Sequence, residues 1–191
     1  MYIAIEGIDT AGKSTQIALL AQNFPDAIIT KEPGATEIGK EIREMVLSAR
    51  AKSKKAEFLL FLADRAEHIT EVIEPNRETK MIISDRSAVS GVAYALIQGE
   101  ISKEELVTLN NFATSNIYPQ KVFLLRLSKE ELEYRLSQKE LDGIELRGSE
   151  YLLNIQNAII EACALLGLEL VEIDATQNRE AITQEILKNI H

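Results

Sequence analysis

The chain is poor in cysteine: one residue of that type, Cys163, occurs among 191. No intrachain disulfide can form, which fits a reducing compartment. Leu152, Ile155, Ile159, Ile160 and Leu166 recur around Cys163 at helical spacing. A buried thiol is therefore expected, not a reactive one. Positive charge is also scarce, with 21 Lys and Arg against 30 Asp and Glu, a net charge of −9. That balance argues against a nucleic-acid partner or an anionic membrane surface. It leaves nucleotides open, because a phosphate site needs only a few local donors. No apolar run approaches the length of a membrane span. The N-terminus enters Tyr2-Ile3-Ala4-Ile5 with no basic leader, so a soluble, cytoplasmic protein is expected. Histidine is rare, and His68 and His191 read as surface residues. Neither forms a His/Asp or Cys/His catalytic constellation. No Ser- or Pro-rich linker and no internal repeat divides residues 1–191, which predicts a single domain.

Short apolar runs alternate with longer helical patterns. The strand candidates are 2–5, 27–30, 80–84, 121–125 and 168–173. They are apolar on both faces, as buried parallel strands are. The rhythm predicts an α/β fold, a five-stranded parallel sheet with helices on both sides. Two segments break it. Residues 54–74 read as one helix with apolar groups all round its axis at 58–62. Such a helix must be covered on most sides. Residues 137–149 are polar and contain glycine, and read as a short flexible lid or a plain surface loop.

Gly7-Ile8-Asp9-Thr10-Ala11-Gly12-Lys13-Ser14 fits G-x-x-x-x-G-K-[ST] without exception. Glycine at both ends lets the backbone curl and turn its N–H groups inward. Those groups and the following helix N-terminus receive phosphate. The motif follows a strand and precedes a helical run, as the chemistry requires. Residues Gly7 to Thr15 are thus the expected ATP-binding segment. Lys13 would reach the β- and γ-phosphates, and Ser14 would place its hydroxyl on Mg²⁺. An N-K-x-D guanine-reading motif is absent, and no D-x-x-G switch follows a later strand. A small-molecule kinase is favoured over a GTPase or a motor.

Three further segments follow in order: Thr30-Lys31-Glu32-Pro33-Gly34-Ala35-Thr36, Leu59-Leu60-Phe61-Leu62-Ala63-Asp64-Arg65-Ala66, and Ser84-Asp85-Arg86-Ser87-Ala88-Val89-Ser90-Gly91-Val92-Ala93-Tyr94. Together with the phosphate loop they resemble the thymidylate kinases over nearly the whole chain. The resemblance implies a three-layer P-loop fold and transfer of the γ-phosphate of ATP to dTMP, with Mg²⁺ as cofactor. It implies a homodimer. It places thymine on Phe61 and Arg65, and the acceptor phosphate near Arg43 and Arg86. Asp9 would face the deoxyribose 3′-OH, and Tyr94 would close over the sugar 2′ position. Glu32, Pro33 and Ser90 would complete the acceptor site, and Asp85 would support the metal. Family members supply a catalytic cation from the phosphate loop or from the lid. Residues 8–11 carry none here, so Arg135, Lys139 and Arg147 are the candidates. Ile38, Ile42, Met45 and Val46 read as the buried stripe of the helix that bears Arg43. The sequence departs from the family pattern at Ser87, Gly91 and Gly143, where tyrosine, a polar side chain and arginine are common. Two other readings compete: a kinase for another acceptor, and a non-catalytic ATP sensor.

Overall fold

Tyr2-Ile3-Ala4-Ile5-Glu6 contains no turn-forming residue and forms strand β1 (Tyr2–Glu6), buried throughout. The computed structural model describes residues 1–48, 51–140 and 145–190. The other strands are β2 (Ile28–Lys31), β3 (Ile82–Asp85), β4 (Lys121–Arg126) and β5 (Leu170–Asp174). They form one sheet in the order β2-β3-β1-β4-β5, and every neighbouring pair is parallel. The predicted five-stranded parallel sheet is present, with strand ends shifted by a residue or two. Burial on both faces holds for β1, β3 and most of β4. It fails for β2 and β5, which alternate or open toward solvent. These are the sheet's edges, where a strand has a neighbour on one side only.

The helices are α1 (Lys13–Asn23), α2 (Glu37–Leu47), α3 (Lys54–His68), α4 (Ala88–Gln98), α5 (Lys103–Thr114), α6 (Lys129–Ser137), α7 (Ser149–Leu166) and α8 (Arg179–Asn189). Thr36, Ser53, Ser102, Ser128 and Asn178 accept hydrogen bonds from first-turn N–H groups and so fix the starts of α2, α3, α5, α6 and α8. Helix α1 is different. It starts from Gly12 in a left-handed conformation with no side-chain cap, so its first N–H groups stay open to an anion.

The interior is mostly aliphatic, with Ile3, Ile5, Leu20, Ile83, Leu124 and Leu125 fully covered beside the aromatic Phe123. Helix α7 lies against α4 and carries Cys163, which is buried as expected. Burial pushes that thiol up to about 12, so it is inert at neutral pH.

Two expectations about helices are corrected. Residues 54–74 are not one α-helix: α3 ends at His68 and a π-helical turn, Ile69–Ile73, follows. The chain also leaves part of α3 bare, with Leu59 56% exposed. The stripe on α2 is narrower than its spacing suggests. Ile42 is buried and Val46 half-buried, whereas Ile38 and Met45 are exposed. Helix α2 packs on α3, with Gly39 against Asp64, while Ile38 and Met45 remain exposed.

Candidate active site

Three chain segments leave the carboxyl edge of the sheet side by side: residues 7–12 after β1, 32–36 after β2, and 86–87 after β3. That edge is where open α/β sheets bind ligands.

In the first segment the backbone comes close to its surroundings. A Cβ at Gly7 would lie 3.0 Å from the Leu125 carbonyl oxygen and 3.1 Å from the Ala11 Cβ. Thr10 has a φ of +70°, which a β-branched residue strongly resists. Such strain costs on the order of 1–3 kcal/mol. Lys13 curls back over the loop, and its Nζ donates to the carbonyls of Gly7 (3.0 Å) and Ile8 (3.1 Å). Burial, with Arg86 adding to it, pushes the Lys13 amine down to about 8.

Arg86 forms the second wall. Its Nη1 donates to Gly7 O and to Ser90 Oγ, each at 3.1 Å, and its Nη2 donates to Asp9 Oδ1 at 2.8 Å. Behind it lies Glu6, which is fully buried. Glu6 accepts from the Ser87 N–H (2.8 Å), the Ser87 hydroxyl (2.9 Å) and the Ser90 hydroxyl (2.5 Å). Burial pushes the Glu6 carboxyl up, opposed by Arg86 and the two serines. Sequence reasoning missed Glu6, although a carboxylate closing an apolar strand was a usable signal. Ser87 proves to be a cap: its Oγ receives the Val89 N–H at the start of α4.

The third wall is a buried polar cluster. Glu32 accepts from Arg65 Nε and from His68 Nδ1, each at 3.0 Å. Burial alone would raise the Glu32 carboxyl, but Arg65 and His68 outweigh it and hold it below its usual range. His68 reaches Thr30 Oγ1 with its other ring nitrogen at 2.7 Å. The surface position predicted for His68 is therefore wrong, because the ring is fully enclosed. It lies on the buried side of α3, one turn from Arg65 and turned toward the same carboxylate. Arg65 also donates through Nη1 to Asn110 Oδ1 at 2.8 Å. A Cβ at Gly91 would come 3.0 Å from Arg65 Nη2. The missing side chain at 91 makes room for this guanidinium. Arg43 donates to Pro33 O at 2.9 Å. Asp64 accepts from the Gly34 N–H at 2.8 Å, and burial pushes its carboxyl up to about 6.

Two joined cavities result. A polar cleft of about 480 Å³ is lined by Thr10, Lys13, Ser14, Arg43, Asp85, Lys139 and their neighbours. A mainly apolar slot of about 120 Å³ is lined by Phe61, Tyr94, Pro33, Val46, Arg65, Ser90 and Gly91. Asp9, Glu32 and Arg86 line both. Among the described residues, the buried side-chain oxygens found without a partner are Thr10 Oγ1 and Asp85 Oδ1. Both residues stand in the wall of the cleft. Asp85, near the exposed Ser14 at the start of α1, is an oxygen donor suited to a hard divalent cation.

The lid candidates separate. Lys139 lines the cleft and pairs with Glu145 at 2.7 Å. Arg147 stacks on Tyr151 at 4.8 Å and donates to its hydroxyl. Arg135 is turned to Glu131, Thr10 O and Ala175 O. The cleft's lining includes neither arginine. Asp142, Gly143 and Ile144 lie outside the described residues, as does His191.

The sequence model of the thymidylate kinases matches residues 5–186. The chain belongs to the thymidylate kinase family. It is 74% identical to the thymidylate kinase of Sulfurimonas denitrificans over 191 residues, the full length of both chains. It is 52% identical to that of a Sulfurovum species over 187 residues, covering 98% of this chain and 97% of the other. The crystal structure of thymidylate kinase from Ehrlichia chaffeensis superposes with a TM-score of 0.79 at 22% identity, covering 100% of this chain and 98% of that one. That likeness confirms the three-layer P-loop fold.

The Asp64 carboxyl lies at 3.8 in its ordinary state and at about 6 in the fold. Between those values the folded chain keeps a proton that the unfolded chain has released. The group's stabilising contribution is thus present below about pH 4 and lost as pH rises to about 6. Asp64→Asn keeps an oxygen for Gly34 and removes this slope. Urea midpoints measured from pH 4 to 7 should move in favour of the variant; parallel profiles would contradict the assignment.

Proposed function

We propose that this thymidylate kinase family member transfers the γ-phosphate of ATP to dTMP, giving dTDP and ADP in the supply of dTTP. The observation that carries the reading is the shared wall between the two cavities. A pyrimidine in the apolar slot lies between Phe61 and the free edge of Arg65, an arrangement suited to stacking and to a carbonyl. Its 5′-phosphate then meets Arg86 and Arg43 in the polar cleft, facing the phosphate loop. Pro33 and Glu32 bound the turn between the two. Asp9 stands beside the sugar's 3′-hydroxyl, and Tyr94 closes over the 2′ position. Ser90 acts through Arg86, to which it is bonded.

The acceptor's phosphate oxygen attacks the γ-phosphorus in line, the bond to the β-phosphate oxygen breaks, and ADP leaves. The acceptor oxygen is already largely ionised, so no general base is needed. Lys13 and Arg86 neutralise the transferred group, and their fixed positions avoid reorganisation during the step. Lys139 is the lid cation best placed to join them. Closure of a lid after α6, the segment that carries Lys139, would exclude water and so limit ATP hydrolysis. Mg²⁺ would be held by Ser14 and, through water, by Asp85, and when bound it supplies charge on the β- and γ-phosphates.

We also infer a homodimer in the cytoplasm. Ile38 and Met45 on α2, Leu59 on α3 and Phe112 on α5 are exposed, Phe112 by 86%. Helix α3 packs against both α2 and α5, so these exposed groups sit on neighbouring helices. A second copy would cover them. No helix among the described residues is long and apolar enough to cross a membrane. The lone, inert Cys163 fits a reducing compartment.

An acceptor panel in an ADP-release assay tests the activity. dTMP should be preferred, with dUMP slower by about tenfold or more for the missing methyl group. Lys13→Ala should lower kcat by about a hundredfold or more. ATP binding without acceptor-dependent ADP would instead identify a sensor. Sedimentation of Leu59→Glu/Phe112→Glu should give a monomer where the wild type is dimeric; an unchanged dimer would place the interface elsewhere.

A further inference from the structure

Arg135 is the one basic residue of α6 whose side chain crosses to the phosphate loop. Its Nη1 donates to Thr10 O at 3.0 Å and its Nη2 to Ala175 O at 2.7 Å. Glu131, one helical turn back, holds Nε at 2.7 Å. All three nitrogens are thus engaged by the protein, two of them with backbone carbonyls from segments far apart in sequence. Ala175 follows β5 and is fully buried, so it is a fixed point. Thr10 is not such a point by itself. Its left-handed φ of +70° is unfavourable for a β-branched residue, and its buried hydroxyl has no partner. Two unfavourable features at one residue need a restraint outside that residue.

The peptide plane that carries Thr10 O also carries the Ala11 N–H. That N–H closes the turn on Ile8 O at 3.2 Å. Arg135 therefore holds the plane from outside while Ile8 holds it from inside. Helix α6 leads directly into residues 137–149, where Lys139 lines the cleft. The same fork thus joins the phosphate loop to the root of the lid.

We propose that Arg135 is a positioning residue that clamps the strained Thr10 turn of the phosphate loop to the lid-bearing helix, and that it does not touch phosphate. This replaces the role of lid cation that its sequence position suggested. The proposal rests on the reading of residues 7–14 as the ATP phosphate loop, which wild-type turnover of dTMP tests separately.

Glycine adopts a positive φ as readily as a negative one. A glycine at position 10 would keep the turn without the clamp, and a double-mutant cycle exploits this. Arg135→Gln should lower kcat by about tenfold or more, with the KM for dTMP changed by less than about threefold. The same substitution made on top of Thr10→Gly should lower kcat by less than about threefold. Thermal melts check that each protein is folded, and Arg135→Lys, which cannot span both carbonyls, replaces Arg135→Gln if the latter does not fold. An equal loss in both backgrounds overturns the proposal, because Arg135 would then act on the nucleotide itself. It is likewise overturned if Arg135→Gln leaves kcat unchanged; the effect of Arg135→Gln is read against each background's own kcat, whatever Thr10→Gly costs by itself.

Discussion

The Arg86 guanidinium sits where the carboxyl ends of β1 and β3 meet, and it forms part of both cavities. A largely covered cation is tolerated only where carbonyls and carboxylates surround it. Gly7 O, Ser90 Oγ and Asp9 do this directly, and Glu6 does so through Ser90. The Ser90 hydroxyl donates its O–H to Glu6 and so turns its oxygen lone pairs to Arg86. Phosphate loop and acceptor wall are thereby parts of one electrostatic unit. In a chain with a net charge of −9, Glu6 stands behind Arg86, while Asp9, Glu32 and Asp85 share the cleft wall with Lys13, Arg43 and Arg86.

The base slot follows the same logic with a different arginine. Glu32, Asn110 and His68 fix Arg65 so that its free edge faces Gly91 and the slot. His68 belongs to this arrangement only indirectly, through the carboxylate it shares. Of the family departures, Gly91 has a clear physical account: a side chain there would press on the guanidinium. Ser87 has another, since a short hydroxyl both caps α4 and reaches Glu6.

The rest of the chain carries the cost of the cleft. Thr10 is strained, and Thr10 Oγ1 and Asp85 Oδ1 are buried without partners. Elsewhere α2, α3, α5, α6 and α8 start from side-chain caps and the core is mostly aliphatic. These two unpartnered oxygens thus lie where a nucleotide and its cation would satisfy them, which is where a fold optimised for stability alone would not place them.

The sequence by itself determined the parallel sheet, the phosphate loop and the family. Each of these rests on local order: apolar runs of strand length, a fixed spacing of glycines and lysine, and four motifs in succession. It also named several of the residues that line the cavities, Asp9, Glu32, Phe61, Arg65, Arg86 and Tyr94 among them, though not Leu47. The tertiary structure alone decided how the side chains share partners. Glu6 and His68 gained their places from segments distant in sequence, and Arg135 turned to the backbone of the phosphate loop while Lys139 reached the cleft. Edge strands and the bare face of α2 were equally hidden, because periodicity reports which residues are apolar but not which neighbours are present to cover them. A hydrogen bond is likewise a property of two positions in space, and linear spacing specifies only one of them at a time.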